Sequence, residues 1–204
     1  MVKVKTVPRI EDKDSELVRA INAGAHDRFY DLVARYEGQL YGFGMKMCGN
    51  THDAEDMVQD AFLNVFKYIG GFRFETKFKN WLYRIAASAC MKKKRRSKYA
   101  PERELSLEEF LPGENEPRPD HIPRWARMPS EKLLDEELAR AIDQAILELP
   151  EKYRMVVLLR DKEEFSTGET ARILNLSESN VKVRLHRGRL FLREKLKGYF
   201  NDGP

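Results

Sequence analysis

Ser166-Thr167-Gly168-Glu169-Thr170-Ala171-Arg172-Ile173-Leu174-Asn175-Leu176-Ser177-Glu178-Ser179-Asn180-Val181-Lys182-Val183-Arg184-Leu185-His186-Arg187-Gly188-Arg189 holds two helix starts and one sharp turn. Ser166 and Glu169 have capping-box spacing: the serine oxygen takes a first-turn N–H and the glutamate reaches back. A short helix follows, with Ala171, Ile173 and Leu174 as its apolar positions. Asn175 stands where a residue tolerant of left-handed backbone can end it. Ser177 then caps a second helix that turns Val181, Leu185, Leu192 and Leu196 inward. Two short helices joined by a tight turn have helix-turn-helix spacing. The outer face of the second carries Lys182, Arg184, Arg187, Arg189 and Arg193, with Asn180 and His186 between them. Long cationic donors on one face suit a major groove, where they reach base edges and phosphates. A solvated amphipathic helix could carry the same charges, but here the cap, the turn and the cationic face coincide.

Upstream, from Glu131, Leu133, Leu134, Leu138, Ile142, Ile146 and Leu149 keep the helical period until Pro150 stops it. Further helices are expected near 151–163, 166–174 and 177–197. Between 97 and 130, Pro101, Pro112, Pro117, Pro119, Pro123 and Pro129 interrupt any helix, and seven acidic residues from Glu102 to Asp120 make the segment acidic. This is an expected linker; roughly 30 extended residues at about 3 Å each would let the flanking domains stand some 90 Å apart. From 14 to 96 the helical period returns, with breaks at Ala23-Gly24-Ala25, Gly49-Asn50-Thr51 and Gly70-Gly71. Helices are expected near 14–22, 27–48, 52–68 and 77–95. The fold class is all-α: two small helical domains, 14–96 and 131–200, joined by a flexible acidic linker, 97–130.

Hydrophobic residues make up 42% of the 204, enough for real cores, and the net charge is only +4 although 34% of residues are charged. Attraction to an anionic partner must therefore come from where the cations sit. Cys48 and Cys90 belong to no zinc-spaced cluster and read as idle thiols of a reducing cytosol. No apolar run of signal-peptide or membrane-span character is present, so no membrane insertion is expected and the location is expected to be cytoplasmic.

In the first half, Asp53-Ala54-Glu55-Asp56 opens a helix whose dipole favours acids there. Val58, Ala61, Phe62, Val65 and Ile69 form its buried stripe. Asp56, Gln59, Asp60 and Lys67 face outward, either against a partner or simply wet. Gly70-Gly71-Phe72-Arg73-Phe74-Glu75-Thr76-Lys77-Phe78-Lys79-Asn80-Trp81 mixes rings and cations. That mixture suits unpaired DNA, because rings stack on exposed bases at about 1–3 kcal/mol each while cations track the backbone. A hydrophobic mini-core is the alternative. Phe72, Arg73, Phe74 and Lys77 are the expected strand contacts, and Trp81 the expected core residue. The following helix ends in Lys92-Lys93-Lys94-Arg95-Arg96, more cation than capping needs and suited to phosphates.

Leu149-Pro150-Glu151-Lys152-Tyr153-Arg154, Phe165-Ser166-Thr167-Gly168-Glu169-Thr170-Ala171 and Val181-Lys182-Val183-Arg184-Leu185-His186-Arg187-Gly188-Arg189 resemble, in order and spacing, the carboxy-terminal region 4 domain of extracytoplasmic-function (ECF) sigma factors. Asp53 to Phe66 and Lys77-Phe-x-x-Trp-Leu-Tyr-Arg-Ile-Ala resemble the region 2 domain of the same sigma-70 family. The resemblance covers about 27–96 and 131–197. It implies binding to core RNA polymerase, through the largest subunit's clamp helices and the flap, and to promoter DNA, with an anti-sigma factor as a regulating partner. Asp56, Gln59, Asp60 and Phe66 match polymerase contacts. Phe72, Arg73, Phe74, Lys77, Asn80, Arg84, Lys92, Lys93 and Arg95 fall in the −10 recognition and strand-opening segment. Ser179, Asn180, Lys182, Val183, Arg184, His186 and Arg187 fall where the family contacts the −35 element. Val183 stands where serine is commoner, an apolar contact in place of a hydroxyl, and Thr170 where a larger aliphatic is usual. The acidic linker resembles the family's connector toward the polymerase active centre.

No GxxxxGK[ST] loop, HExxH motif or nucleophile–base pair is present, so no catalysis, cofactor, metal or small-molecule substrate is expected. Judged by residues alone, a self-sufficient helix-turn-helix repressor and a nucleic-acid enzyme are the competing classes.

Overall fold

The computed structural model describes residues 9–96 and 134–201, and every regular element among them is helical. α1 (Ser15–Asn22) ends at Gly24, and a single 3₁₀ turn, His26–Arg28, leads into α2 (Phe29–Cys48). Gly49, at φ +81°, supplies the left-handed residue that stops α2, and the Asn50 side chain accepts the Asp53 N–H at 2.8 Å to start α3 (Thr51–Tyr68). After a 3₁₀ turn at Ile69–Gly71 and an extended loop comes α4 (Phe78–Arg96). The Asp12 carboxylate accepts the first N–H of α4, from Phe78, at 2.6 Å, so the amino-terminal segment caps a helix 66 residues away. Asp14, buried, accepts from the Tyr36 hydroxyl and the Arg35 guanidinium and so ties α1 to α2.

Tyr36, Leu40 and Phe43 of α2, Met57 and Val65 of α3, and Phe78, Leu82 and Tyr83 of α4 fill the first core. Gly44 lets α2 and α3 approach closely: a Cβ there would lie 2.6 Å from Met57 Cε. The second domain begins with α5 (Leu134–Glu148) and α6 (Glu151–Val157), which runs into a π turn, Leu158–Lys162. It continues with α7 (Thr167–Leu174), α8 (Glu178–Lys195) and the short α9 (Lys197–Asn201). The expected helix over 151–163 is thus an α-helix closed by one wider turn. Gly188 of α8 meets α6 face on, and a Cβ there would lie 2.6 Å from Val157 Cγ2.

The two domains pack against each other, although a linker of that length would allow them to stand far apart. One buried apolar cluster runs through both. The Tyr83 and Phe165 rings meet edge to face at 5.0 Å. Lys46 pairs with Asp143, Arg154 Nη1 donates to the Met47 carbonyl at 2.7 Å, and Lys162 Nζ donates to the Gly42 carbonyl at 3.2 Å. The linker itself, 97–130, lies outside the described residues, as do residues 131–133 and 202–204.

Candidate nucleic-acid and polymerase interfaces

The capping box forms as the spacing predicts. Glu169 N–H donates to Ser166 Oγ at 3.2 Å, and Ser166 N–H donates to Glu169 Oε2 at 2.9 Å. Asn175 takes φ +54° at the turn, and Ser177 Oγ accepts the Asn180 N–H at 3.2 Å. These two caps fix the angle at which α8 leaves α7. Val181, Leu185, Phe191 and Leu192 anchor it inward, which leaves Ser179, Asn180, Lys182, Val183, His186 and Arg187 exposed on the outer face of its first half. Arg184 is half-buried at the edge of that face. Val183 is a bare apolar side chain, 50% exposed among cations. Arg189 departs from the expected outer row: it turns back and holds Asp161 with two hydrogen bonds, 3.0 Å from Nε and 2.5 Å from Nη2. The surface that α8 offers is therefore its amino-terminal half, the part a recognition helix inserts into a groove.

On α3, Gln59 and Asp60 are exposed and Asp56 is half-buried, within 3.8 Å of His52 Nε2. These residues form one wall of a groove between α3 and α4, whose other wall is Trp81, Arg84, Ile85 and Ser88. Three of the four expected polymerase residues, Asp56, Gln59 and Asp60, and Arg84 of the expected strand-contacting set thus line one concave surface. Phe66 is 53% exposed and rests edge-on against Phe29 at 5.1 Å. Leu63 and Tyr68, which sequence patterning did not single out, are equally open beside it. Leu63 and Phe66, three positions apart and off the buried stripe, are the signal that would have found this apolar patch.

The aromatic loop corrects an expectation. Phe72 and Phe74 are both 8% exposed and lie in the core, not open to a strand. Phe72 packs against Phe74 at 4.9 Å, Trp81 at 5.3 Å and Phe78 at 5.9 Å, and the Arg19 guanidinium covers the Phe74 ring at 4.9 Å. The loop alternates: its rings point in while Arg73 and Glu75 point out. That is the hydrophobic mini-core alternative, and Trp81, expected to be core, is only partly buried beside it. Of the remaining expected strand contacts, Arg73, Lys77 and Arg84 are exposed. Asn80 is 6% exposed and donates its amide to Glu169 Oε1 at 3.1 Å. The side chains of Lys92, Lys93 and Arg95 lie outside the described residues.

Glu169 therefore has two roles, cap and cross-domain partner. Partial burial works to raise its carboxyl, but the Ser166 N–H, the Asn80 amide, the Ser166 hydroxyl and the Lys77 ammonium outweigh that and bring it down to about 2. The two thiols, distant in sequence, meet in space: the Cys90 hydrogen bond to Cys48, together with burial, pushes the Cys90 thiol well above its ordinary range. Among the described residues no cluster of His, Cys, Asp or Glu could hold a metal ion, and no helix is long and apolar enough to cross a membrane.

Known proteins match both halves. Residues 32–99 match the family Sigma-70 region 2, and residues 139–192 match Sigma-70, region 4. The ECF RNA polymerase sigma factor SigW of Bacillus subtilis (strain 168) is 35% identical over 182 residues, covering 88% of this chain and 95% of SigW. The ECF RNA polymerase sigma factor SigM of Mycobacterium tuberculosis (strain ATCC 25618 / H37Rv) is 32% identical over 195 residues, 96% of this chain and 90% of SigM. The fold is shared with CnrH, solved in complex with the cytosolic domain of CnrY, at a TM-score of 0.64 and 23% identity over 92% of this chain and 99% of that one. With both domains matched in order and relatives spanning nearly its full length, the chain belongs to the ECF RNA polymerase sigma factors of the sigma-70 family, and its activity is promoter-specific transcription initiation.

Proposed function

We propose that the first domain, 14–96, docks on core RNA polymerase and takes the −10 strand, while the second, 131–200, holds the −35 duplex. The observation that carries this is the exposed first half of α8, capped at Ser177 and presenting Lys182, Val183, His186 and Arg187 from a rigid helix pair. In this reading Ser179, Asn180 and Arg184 complete the −35 contacts, with cations on phosphates and base edges. Asp56, Gln59 and Asp60, with Phe66 as an apolar anchor, meet the polymerase, where a few anchors supply most of the affinity. The exposed Arg73, Lys77 and Arg84 face the −10 strand, with Asn80 buried beside them against Glu169. Opening a few base pairs costs a few kcal/mol, which trapping an extruded base offsets, so the chain needs no nucleotide hydrolysis and is no enzyme. It works in the cytoplasm, and an anti-sigma factor, as NepR is for the sigma factor RpoE of Bartonella quintana, would hold it in reserve.

Replacing Asp56, Gln59 and Asp60 together with alanine tests the docking assignment. Loss of stoichiometric co-purification with core polymerase, with the melting temperature preserved, is the expected result. Unchanged core binding removes the assignment.

A further inference from the structure

α8 buries Val181 and Leu185 but leaves Val183, set between them, 50% exposed on the opposite face. Its neighbours one helical turn away are Ser179 and Asn180 before it and His186 and Arg187 after it, all exposed. A lone exposed valine is ordinary on a protein surface. This one stands at the centre of a polar and cationic face, on a stretch of helix held at both ends. At one end Ser177 Oγ accepts the Asn180 N–H at 3.2 Å, and at the other Arg189 Nε donates to Asp161 at 3.0 Å. Beside Arg189, Gly188 brings the helix so close to α6 that an added Cβ would lie 2.6 Å from Val157 Cγ2. Branching at Cβ leaves a helical valine with essentially one χ1 rotamer. The methyls of Val183 are therefore carried at a fixed place, and a groove that closes over this face takes them out of water.

What they can meet there is limited. In the major groove guanine, adenine and cytosine offer hydrogen-bond donors and acceptors, whereas thymine adds an apolar group, its C5-methyl. Set against a donor or acceptor, the valine would leave that group without water and without a partner. We propose that Val183 is a specificity-determining residue that packs on the C5-methyl of one thymine in the upstream promoter element. The proposal rests on the reading above that the outer face of α8 enters the −35 duplex, and it divides the work of that face. Lys182 and Arg187 supply sequence-independent attraction to phosphates, and Val183 discriminates at one base pair that contains thymine.

The test uses the full chain reconstituted with core RNA polymerase and a promoter duplex selected by that holoenzyme from a random library. Each thymine of the upstream element, on either strand, is replaced in turn by deoxyuridine, which removes the methyl and keeps every hydrogen-bonding group. Affinity is read by competition at fixed salt, and a thermal melt establishes that each variant is folded. With the original chain one replacement is expected to weaken binding about fourfold, as the loss of one buried methyl group does. With V183A the unmodified duplex is expected to bind about fourfold more weakly, and the same replacement to have no further effect. The salt dependence of binding is expected to be unchanged in V183A, because no cation has been removed. If scrambling the upstream element weakens binding but no single deoxyuridine does, or if the deoxyuridine effect persists in V183A, the proposal is overturned and the −35 reading stands. If scrambling the element changes nothing, that reading falls and the proposal falls with it.

Discussion

Thr170 sits fully buried in α7 with its hydroxyl oxygen lacking a hydrogen-bond partner. An unsatisfied buried hydroxyl costs about 1–3 kcal/mol, whereas an isosteric methyl at the same place costs almost nothing. Thr170→Val is therefore expected to raise stability by about 1 kcal/mol, seen as a higher melting temperature in calorimetry; a lower one would mean that the hydroxyl has a partner. The oddity of this threonine was legible only through the family resemblance, in which a larger aliphatic is usual at that position. Burial of Phe72 and Phe74 was not. Rings beside cations make the same pattern whether they stack on bases or on each other, and only the tertiary position of Trp81 and Phe78 decides between the two.

At the scale of elements, local chemistry was read well. The capping box at Ser166, the left-handed Asn175 and the Ser177 cap are interactions within four residues, and all three form where the spacing put them. The same local logic could not foresee that Arg189 turns from the outer row of α8 to Asp161, 28 residues away. For α8 the expectation is electrostatic: if Lys182 and Arg187 reach phosphates as proposed, changing both to alanine lowers the slope of log K against log salt by roughly 0.9 for each, measured on −35 duplex. An unchanged slope would take both residues off the backbone. For α7 the expectation concerns pH. The Glu169 carboxyl is depressed from 4.5 to about 2, so its contribution to stability is fully present above about 4.5 and disappears as the pH falls toward 2. Melting temperatures of the original chain and of E169Q should therefore differ above pH 5 and converge near pH 2. A constant gap across that window would contradict the stabilisation of the ionised carboxylate by the Ser166 N–H, the Asn80 amide and Lys77.

At the scale of the whole molecule, an all-α chain of two helical domains was legible from periodicity, from the six prolines of the linker and from the matched motifs. The closed packing of the domains was not, since Lys46 with Asp143 and Arg154 with the Met47 carbonyl are contacts across 97 and 107 residues that leave no local pattern. The closed arrangement leaves the outer face of α8 open, while Lys79 and Asn80 of α4 bond to Glu163 and Glu169 of the second domain. The two helices must nonetheless act together on one promoter if this is how the chain initiates transcription. Run-off transcription with purified core polymerase on a promoter library tests that most directly. The account predicts discrete start sites, each preceded by a shared pair of upstream elements and absent when the chain is omitted. A chain that neither associates with core polymerase nor starts a transcript at any promoter would contradict it.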